Sequence, residues 1–312
     1  MAKVTNAFDT YSATSDREDL SNIIYNISPM QTPFMSSIGK RSIKNVVFDW
    51  QTEVLATPVQ TGELEGFELA RSAATATTRV SNVAMISKRD ATVSGSQESS
   101  DPAGKRSEMA HQLAIMSKAL KRDMEEALCQ KNGKTTGDAT TPRTTGAFES
   151  WMTSNVNNQA GTTPTGGGTA PTDSATLRDL TEALLKDVLQ DCFANGGEPS
   201  LAICGPHNKQ VISGFTGRTQ ARQMIDANTV EASVSIYSSD FGELKIVPSN
   251  RSRERSLLLV DPEYAKVSYL RDFKTVDIAT IGDAMTKMIV VEYGLEISNE
   301  AAHGLVADLN IS

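Results

Sequence analysis

Residues Asp101 to Gly133, DPAGKRSEMAHQLAIMSKALKRDMEEALCQKNG, carry the pattern around which the rest of the chain is arranged. Asp101 is a residue type that caps free amides, Pro102 suits a first helical turn, and Gly133 suits a left-handed helix end. One helix is therefore expected from 102 to 130. Met109, Leu113, Met116, Leu120, Met124 and Leu128 recur at steps of three and four, with Lys105, Glu108, Lys118, Lys121, Arg122, Glu125 and Glu126 on the other sides. At 1.5 Å per residue such a helix is roughly 44 Å long. That length suits a helix crossing a large α/β domain or a rod made for assembly, and the helix alone leaves both open.

Upstream, residues 1 to 45 read as an arm. Their apolar residues come in small groups separated by Ser, Thr, Asn and Pro, and Pro29 and Pro33 interrupt any long helix. Ile23, Ile24, Tyr25, Phe34, Met35 and Ile38 must then be buried against the rest of this chain or a neighbouring copy. From Val46 the period becomes two: Val46, Phe48, Trp50, Thr52 and Val54 alternate with polar residues, as do Thr78, Val80, Asn82, Ala84 and Ile86. A long β-hairpin is expected, its turn-rich tip carrying Glu63, Glu65 and Glu68. Alone a hairpin is marginal, so contact with another subunit is expected to support it.

Downstream, Asn155 to Thr172 (NVNNQAGTTPTGGGTAPT) has little to bury and reads as a surface loop or insertion. Asp173 is expected to cap a helix to about Asn195, ended by Gly196 and Gly197. Short apolar strands follow at Leu201 to Cys204, Leu244 to Val247 and Leu257 to Val260. A helix opens at Pro206, a strand covers Thr229 to Tyr237, and Lys287 to Tyr293 and Leu295 to Ile297 close the set. Without a regular βαβ repeat, the fold class is α+β with a mainly antiparallel or mixed sheet.

The 312 residues are 39% hydrophobic and 22% charged, ordinary values for a globular chain of one large domain or two. A net charge of -8 and only 5% aromatic residues argue against a surface that grips phosphates or stacks bases. Cys129, Cys192 and Cys204 are odd in number and widely spaced, so buried thiols are expected, with neither a disulfide framework nor a zinc site. Neither an apolar run long enough to span a membrane nor the apolar stretch of a signal peptide is found.

No catalytic, cofactor or metal set is evident in the sequence. Gly133-Lys134-Thr135 resembles the end of a phosphate loop, but Leu128 stands where that loop needs glycine and the helix precedes instead of following. His111, His207 and His303 lie far apart, and no Gly-x-Ser-x-Gly elbow occurs. Glu125 and Glu126 are adjacent, so they point apart and read as solvated charges. Arg251, Arg253 and Arg255, on alternate positions, could hold phosphate or a neighbour's carboxylates, or form a solvated turn.

The order of arm, long hairpin, long helix and α+β domain resembles the major capsid proteins of tailed bacteriophages with the Hong Kong 97 fold. The stretches REDLSNIIYNISPMQTPFMSSIG (17 to 39), FDWQTEVLA (48 to 56), SDFGELKIVPS (239 to 249), LLLVDPEYAKVSYLR (257 to 271) and GDAMTKMIVVEYGLEISNEAA (282 to 302) carry the resemblance. It implies an N-arm over 1–45, an extended hairpin (the E-loop) over 46–95, and a peripheral domain over 96–173 with its spine helix at 102–130 and the Gly/Thr-rich loop at 155–172. An axial domain over 174–279 and strands returning to the peripheral domain over 280–312 complete it.

The implied function is a structural, non-enzymatic one. Hexamers and pentamers of the chain would form an icosahedral shell around double-stranded DNA, assembled in the host bacterial cytoplasm and carried in the virion. Its partners would be further copies, a portal protein, a separate scaffold protein and a cement or decoration protein. The short stretch before the hairpin leads us to expect no large cleaved segment. The best-known member crosslinks subunits through a hairpin lysine, but no lysine occurs here between Lys44 and Lys88, so strengthening is expected to be non-covalent or to come from another protein. Glu63, Glu65 and Glu68, with Arg71, Arg251, Arg253 and Arg255, are the subunit-contact candidates. An encapsulin-like compartment loading enzymes is the alternative within this resemblance.

Overall fold

The central helix starts inside the expected span. In the computed structural model, which describes residues 32–53, 58, 60, 62–68, 76–100, 107–159, 165–215, 234–280 and 282–311, it runs Glu108–Cys129. Its cap is Ser107, whose hydroxyl accepts the Ala110 N–H at 3.2 Å, while Glu98 accepts from Met109 N at 3.0 Å and from the Ser107 hydroxyl at 2.6 Å. Two groups thus satisfy the first turn's orphan donors, and residues 101–106, including the expected cap Asp101, lie outside the described residues. At its other end Gln130 is already extended, so Gly133 does not end the helix. A Cβ at Gly133 would meet Ala170 N at 2.9 Å, so this glycine is needed for close approach of the 165–172 loop. The helix is about 33 Å long.

In chain order the elements are α1 (Pro33–Ser37), β1 (Gly39–Ser42), β2 (Val47–Thr52), β3 (Thr78–Val83), β4 (Met85–Ser94), α2 (Gly95–Ser99) and α3 (Glu108–Cys129). A 3-10 turn at Phe148–Ser150 leads to β5 (Val156–Asn157), α4 (Glu182–Ala194), β6 (Leu201–Cys204) and α5 (Pro206–Ser213). Then come β7 (Ile236–Ser239), β8 (Gly242–Pro248), β9 (Leu257–Val260), β10 (Ala265–Ile278), β11 (Ala284–Ile297) and β12 (Gly304–Val306).

Three sheets result: four strands in the order β1-β10-β11-β4, six in the order β5-β12-β9-β6-β8-β7, and the pair β2-β3. In the first, β1 joins β10 in parallel and the other pairings are antiparallel. The six-stranded sheet is also mixed, with β6 parallel to β8 and antiparallel to β9. The chain is therefore α+β with mixed sheets.

The apolar strands LAIC (β6) and LLLV (β9) lie at the centre of the six-stranded sheet and are buried at every position, because both faces of that sheet are covered. Leu201, Ile203, Leu258 and Val260 join the cluster holding Leu120, Met124, Leu128, Phe148 and Trp151. Ala202, Cys204, Leu257 and Leu259 face Leu185, Val188 and Cys192 of α4 and Ile212 of α5. The other sheet takes α3 on one face, where Ala91 and Val93 pack with Met109, Leu113 and Met116. Phe34, Met35 and Ile38 are buried within this chain's own core, while Ile23, Ile24 and Tyr25 lie outside the described residues.

Several sequence expectations are corrected. Asp173 caps no helix: α4 begins after Thr181, whose hydroxyl accepts from Leu184 N. The helix does stop where expected, with Gly196 at φ +83°. The loop over 155–172 is partly built in, since Asn155 is buried, β5 pairs with β12, and Gly168 N donates to Ser150 O at 3.0 Å. Of the strand expected at Thr229 to Tyr237, only Ile236 and Tyr237 are in β7 and 229–233 lie outside the described residues. β11 is one continuous strand, paired with the 14-residue β10. The sheets also cut across the expected boundaries. β10, within 174–279, pairs in the sheet beside α3, and β12, within 280–312, pairs with β9 in the six-stranded sheet.

Candidate assembly surfaces

The hairpin pairs as its alternation predicts, from Val47 opposite Val83 to Thr52 opposite Thr78. Its base is anchored by aromatic packing. Trp50 and Trp151 ring centroids lie 5.3 Å apart, Phe48 and Trp50 6.0 Å. Gly294 of β11 makes the close approach possible, since a Cβ there would stand 2.6 Å from the Phe48 ring. The support expected from another subunit is therefore supplied at the base by this chain.

The tip has no such cover. Glu63, Glu65 and Glu68 are exposed, and between them Leu64 is 85% and Phe67 55% exposed. Gly66 at φ +84° turns the chain, and Phe67 N donates to Leu64 O at 3.0 Å. Acids alternate with apolar side chains on this exposed turn. Arg71 lies outside the described residues.

The three arginines after β8 engage carboxylates of this same chain. Arg253 donates from Nη1 to Glu149 at 2.7 Å and from Nη2 to Asp173. Arg255 reaches Asp308 at 3.2 Å and the Ser174 carbonyl at 2.6 Å, and Arg251 lies 3.6 Å from Glu126. Lys131, just past α3, also reaches Asp173 at 2.6 Å. Glu149 is 1% exposed, and burial pushes its carboxyl up against the opposing pull of Arg253. This network joins the end of α3, the 3-10 turn, the Asp173 segment and the C-terminal segment. Burial of Glu149 had a sequence signal: it sits in AFESWM, an apolar run where an acid must find a partner.

Glu125 is also buried, against the expectation of a solvated charge. Its carboxylate accepts from Phe34 N at 2.7 Å and Met35 N at 2.9 Å, capping α1, whose own Thr32 makes no side-chain cap. Glu126 next to it is exposed. On β11, Glu292 binds Arg143 and Arg271, the latter at 2.7 Å, and Glu296 binds Arg41 at 2.6 Å. Glu292 and Glu296 hold β1, β10 and the loop after α3 to the long strand.

His303 is buried, its Nδ1 accepting from Asp261 N at 3.1 Å, and burial lowers its pKa to about 4. Cys129, Cys192 and Cys204 are free and buried. Among the described residues, no group of three or more His, Cys, Asp or Glu is placed to hold a metal. What the arrangement can do is mechanical: an interlocked body presents a hairpin anchored at its base and exposed at its tip.

A family model described as SU10 major capsid protein matches residues 3–310. The chain belongs to the SU10 major capsid protein family. Its similarity to the major capsid protein of Escherichia phage Phieco32 is 25% identity over 338 residues, covering 96% of both sequences. The fold matches the capsid of a native GTA particle with a TM-score of 0.66 at 10% identity, over 96% of this chain and 98% of that one. It also matches a chain of phage G gp27 major capsid proteins and gp26 decoration proteins, with a TM-score of 0.55 at 10% identity over all of both chains. This SU10-family capsid protein thus has the Hong Kong 97 fold, and its function is structural.

Proposed function

We propose that the chain assembles as hexamers and pentamers into the shell of a phage head, with double-stranded DNA inside and no enzymatic step of its own. The observation that carries this reading is the hairpin: its base is locked to the core by Trp50 and Trp151, while its tip presents acids and apolar side chains to solvent. A tip exposed in the single chain and rigidly carried at its base is suited to reach a neighbour. Repetition of such weak contacts around closed rings gives a stable shell.

In this reading the arm up to α1 and the β2–β3 hairpin tie neighbours together. The peripheral domain is α3 with the four-stranded sheet, and the axial domain is the six-stranded sheet with α4 and α5, meeting its copies around local five- and six-fold axes. Glu63, Glu65 and Glu68 pair with cations of an adjacent subunit. A portal protein, a separate scaffold protein and a decoration protein are its partners, decoration being supported by the likeness to the phage G assembly of gp27 major capsid proteins and gp26 decoration proteins. Assembly takes place in the host bacterial cytoplasm. The net charge of -8 favours this role, since an acidic shell protein does not hold packaged DNA fast.

The test is the content of particles built from this chain. Virions disrupted after nuclease treatment should release protected double-stranded DNA with this chain as the most abundant protein. Particles holding a folded enzyme and no DNA would contradict the reading and favour the encapsulin-like alternative.

A further inference from the structure

Asparagine stands directly before glycine twice in the chain, at Asn132-Gly133 and Asn195-Gly196. Such a pair is chemically labile, because glycine puts no side chain in the way of its own nitrogen and lets the backbone swing toward the asparagine amide. The two pairs are alike as sequence, and the fold treats them differently. Asn195 closes α4: its Nδ2 donates to Asn155 Oδ1 at 2.6 Å, and Gly196 N donates to Phe193 O at 3.0 Å. Both reacting groups are therefore held, the amide by a buried side chain and the nitrogen by the helix end.

Asn132 lies just past the end of α3 and is exposed. Its Nδ2 reaches Ala127 O only at 3.4 Å, longer than the usual N–H···O range. Among the described residues the Gly133 N–H has no acceptor. The neighbouring carbonyls are engaged, Asn132 O by Ala147 N at 2.8 Å and Gly133 O by the Thr144 hydroxyl at 3.0 Å. An unheld nucleophile and a loosely held leaving group thus stand side by side at an exposed helix end.

We propose that Asn132 is a site of spontaneous deamidation whose product loosens the end of α3. The Gly133 nitrogen gives up its proton and attacks Asn132 Cγ. A nitrogen-to-Cγ bond forms, the side-chain amide nitrogen leaves as ammonia, and a succinimide ring remains. Water then opens the ring at Cγ to give aspartate, or at the main-chain carbonyl to give isoaspartate, in which the chain runs through Cγ. Either product replaces a donor to Ala127 O by a carboxylate, which that carbonyl and the negative end of the helix dipole both repel. Isoaspartate also adds a methylene to the main chain where Gly133 packs so closely that a Cβ would meet Ala170 N at 2.9 Å. The inference concerns the chain itself and stands apart from the shell reading.

The test is peptide mapping of the purified protein aged at mildly alkaline pH, once folded and once in denaturant. Chymotrypsin separates the sites, since residues 129–148 hold Asn132 as their one asparagine and residues 194–201 hold Asn195 as theirs. In the folded protein the amide-to-acid mass gain should appear about tenfold faster at Asn132 than at Asn195, and the two rates should converge in denaturant, where the hydrogen bonds that separate them are lost. Isoaspartate is read by enzymatic methylation of its free α-carboxylate. Equal rates in the folded protein, or a faster Asn195, overturn the assignment, and so does a difference that persists in denaturant. Asn132→Asp carries the charged product from the start. Amide exchange at Gln130, whose N–H donates to Glu126 O at 3.0 Å, should be about threefold faster in that variant than in wild type, and near wild type in Asn132→Gln. Unchanged exchange in Asn132→Asp overturns the loosening.

Discussion

Glu125 of α3 grips the first turn of α1, receiving the N–H of Phe34 at 2.7 Å and of Met35 at 2.9 Å from 91 and 90 residues upstream. The arm's docked end is thereby tied to the central helix by a buried acid.

Burial raises the Glu125 pKa to about 7, the two backbone donors opposing the rise. Because the folded value lies above the unfolded one, the contribution of this group is fully present below about pH 4.5 and is lost as pH rises through about 7. In Glu125→Gln the backbone is left with one acceptor instead of two, at a cost of about 1 to 3 kcal/mol, and no carboxyl remains to titrate. Thermal midpoints of wild type and variant should converge as pH is raised from 4.5 to 8. A constant gap would show that Glu125 does not titrate there.

His303 carries the opposite dependence. Its pKa is lowered to about 4 by burial, and a proton on Nδ1 would meet the Asp261 N–H that this atom accepts. The folded value lies below the unfolded one, so stability is fully present above about pH 6.5 and is lost as pH falls through about 4. Stability of His303→Gln should fall less steeply than that of wild type between pH 6.5 and 4, read by denaturant midpoints. The Glu125 and His303 windows overlap with opposite sign, so each is resolved only against its own variant.

Arg253→Met leaves Glu149 buried without its cation and should destabilise the chain by about 3 to 5 kcal/mol. The double variant Arg253→Met with Glu149→Leu should recover most of that loss, because neither charge then remains unpaired. Urea unfolding of the three proteins checks this, and equal stability of single and double variants would refute it.

Trp50→Ala removes the ring that rests on Trp151 and should cost about 3 to 5 kcal/mol. Since the loss is at the hairpin base, limited proteolysis between β2 and β3 should accelerate before cleavage elsewhere does. Cleavage at the wild-type rate there would mean that the hairpin is anchored by something other than the Trp50 contact.

Local periodicity made the hairpin and the apolar strands β6 and β9 readable, because burial writes itself into neighbouring residues. The hairpin tip was legible as well, since acids with little apolar support between two alternating strands have few other places to be. Long-range pairings were not. Arg253 could be seen as a cation in a loop, but its partners Glu149 and Asp173 lie 104 and 80 residues away. Glu125 read as solvated because its partners are backbone amides, which have no sequence signature. β10 was missed as a strand because its outer half is only partly buried and bulges between Tyr269 and Lys274 break its alternation. The helix start was misread because Ser107 and Glu98 cap it together, and Glu98 lies outside the helix.

Electron microscopy of the purified protein, expressed alone and then with its neighbouring genes, tests the central claim most directly. The account predicts closed icosahedral shells or regular capsomers, with the hairpin of each subunit extended over the adjacent one. A protein that stays monomeric with every neighbour supplied would contradict it.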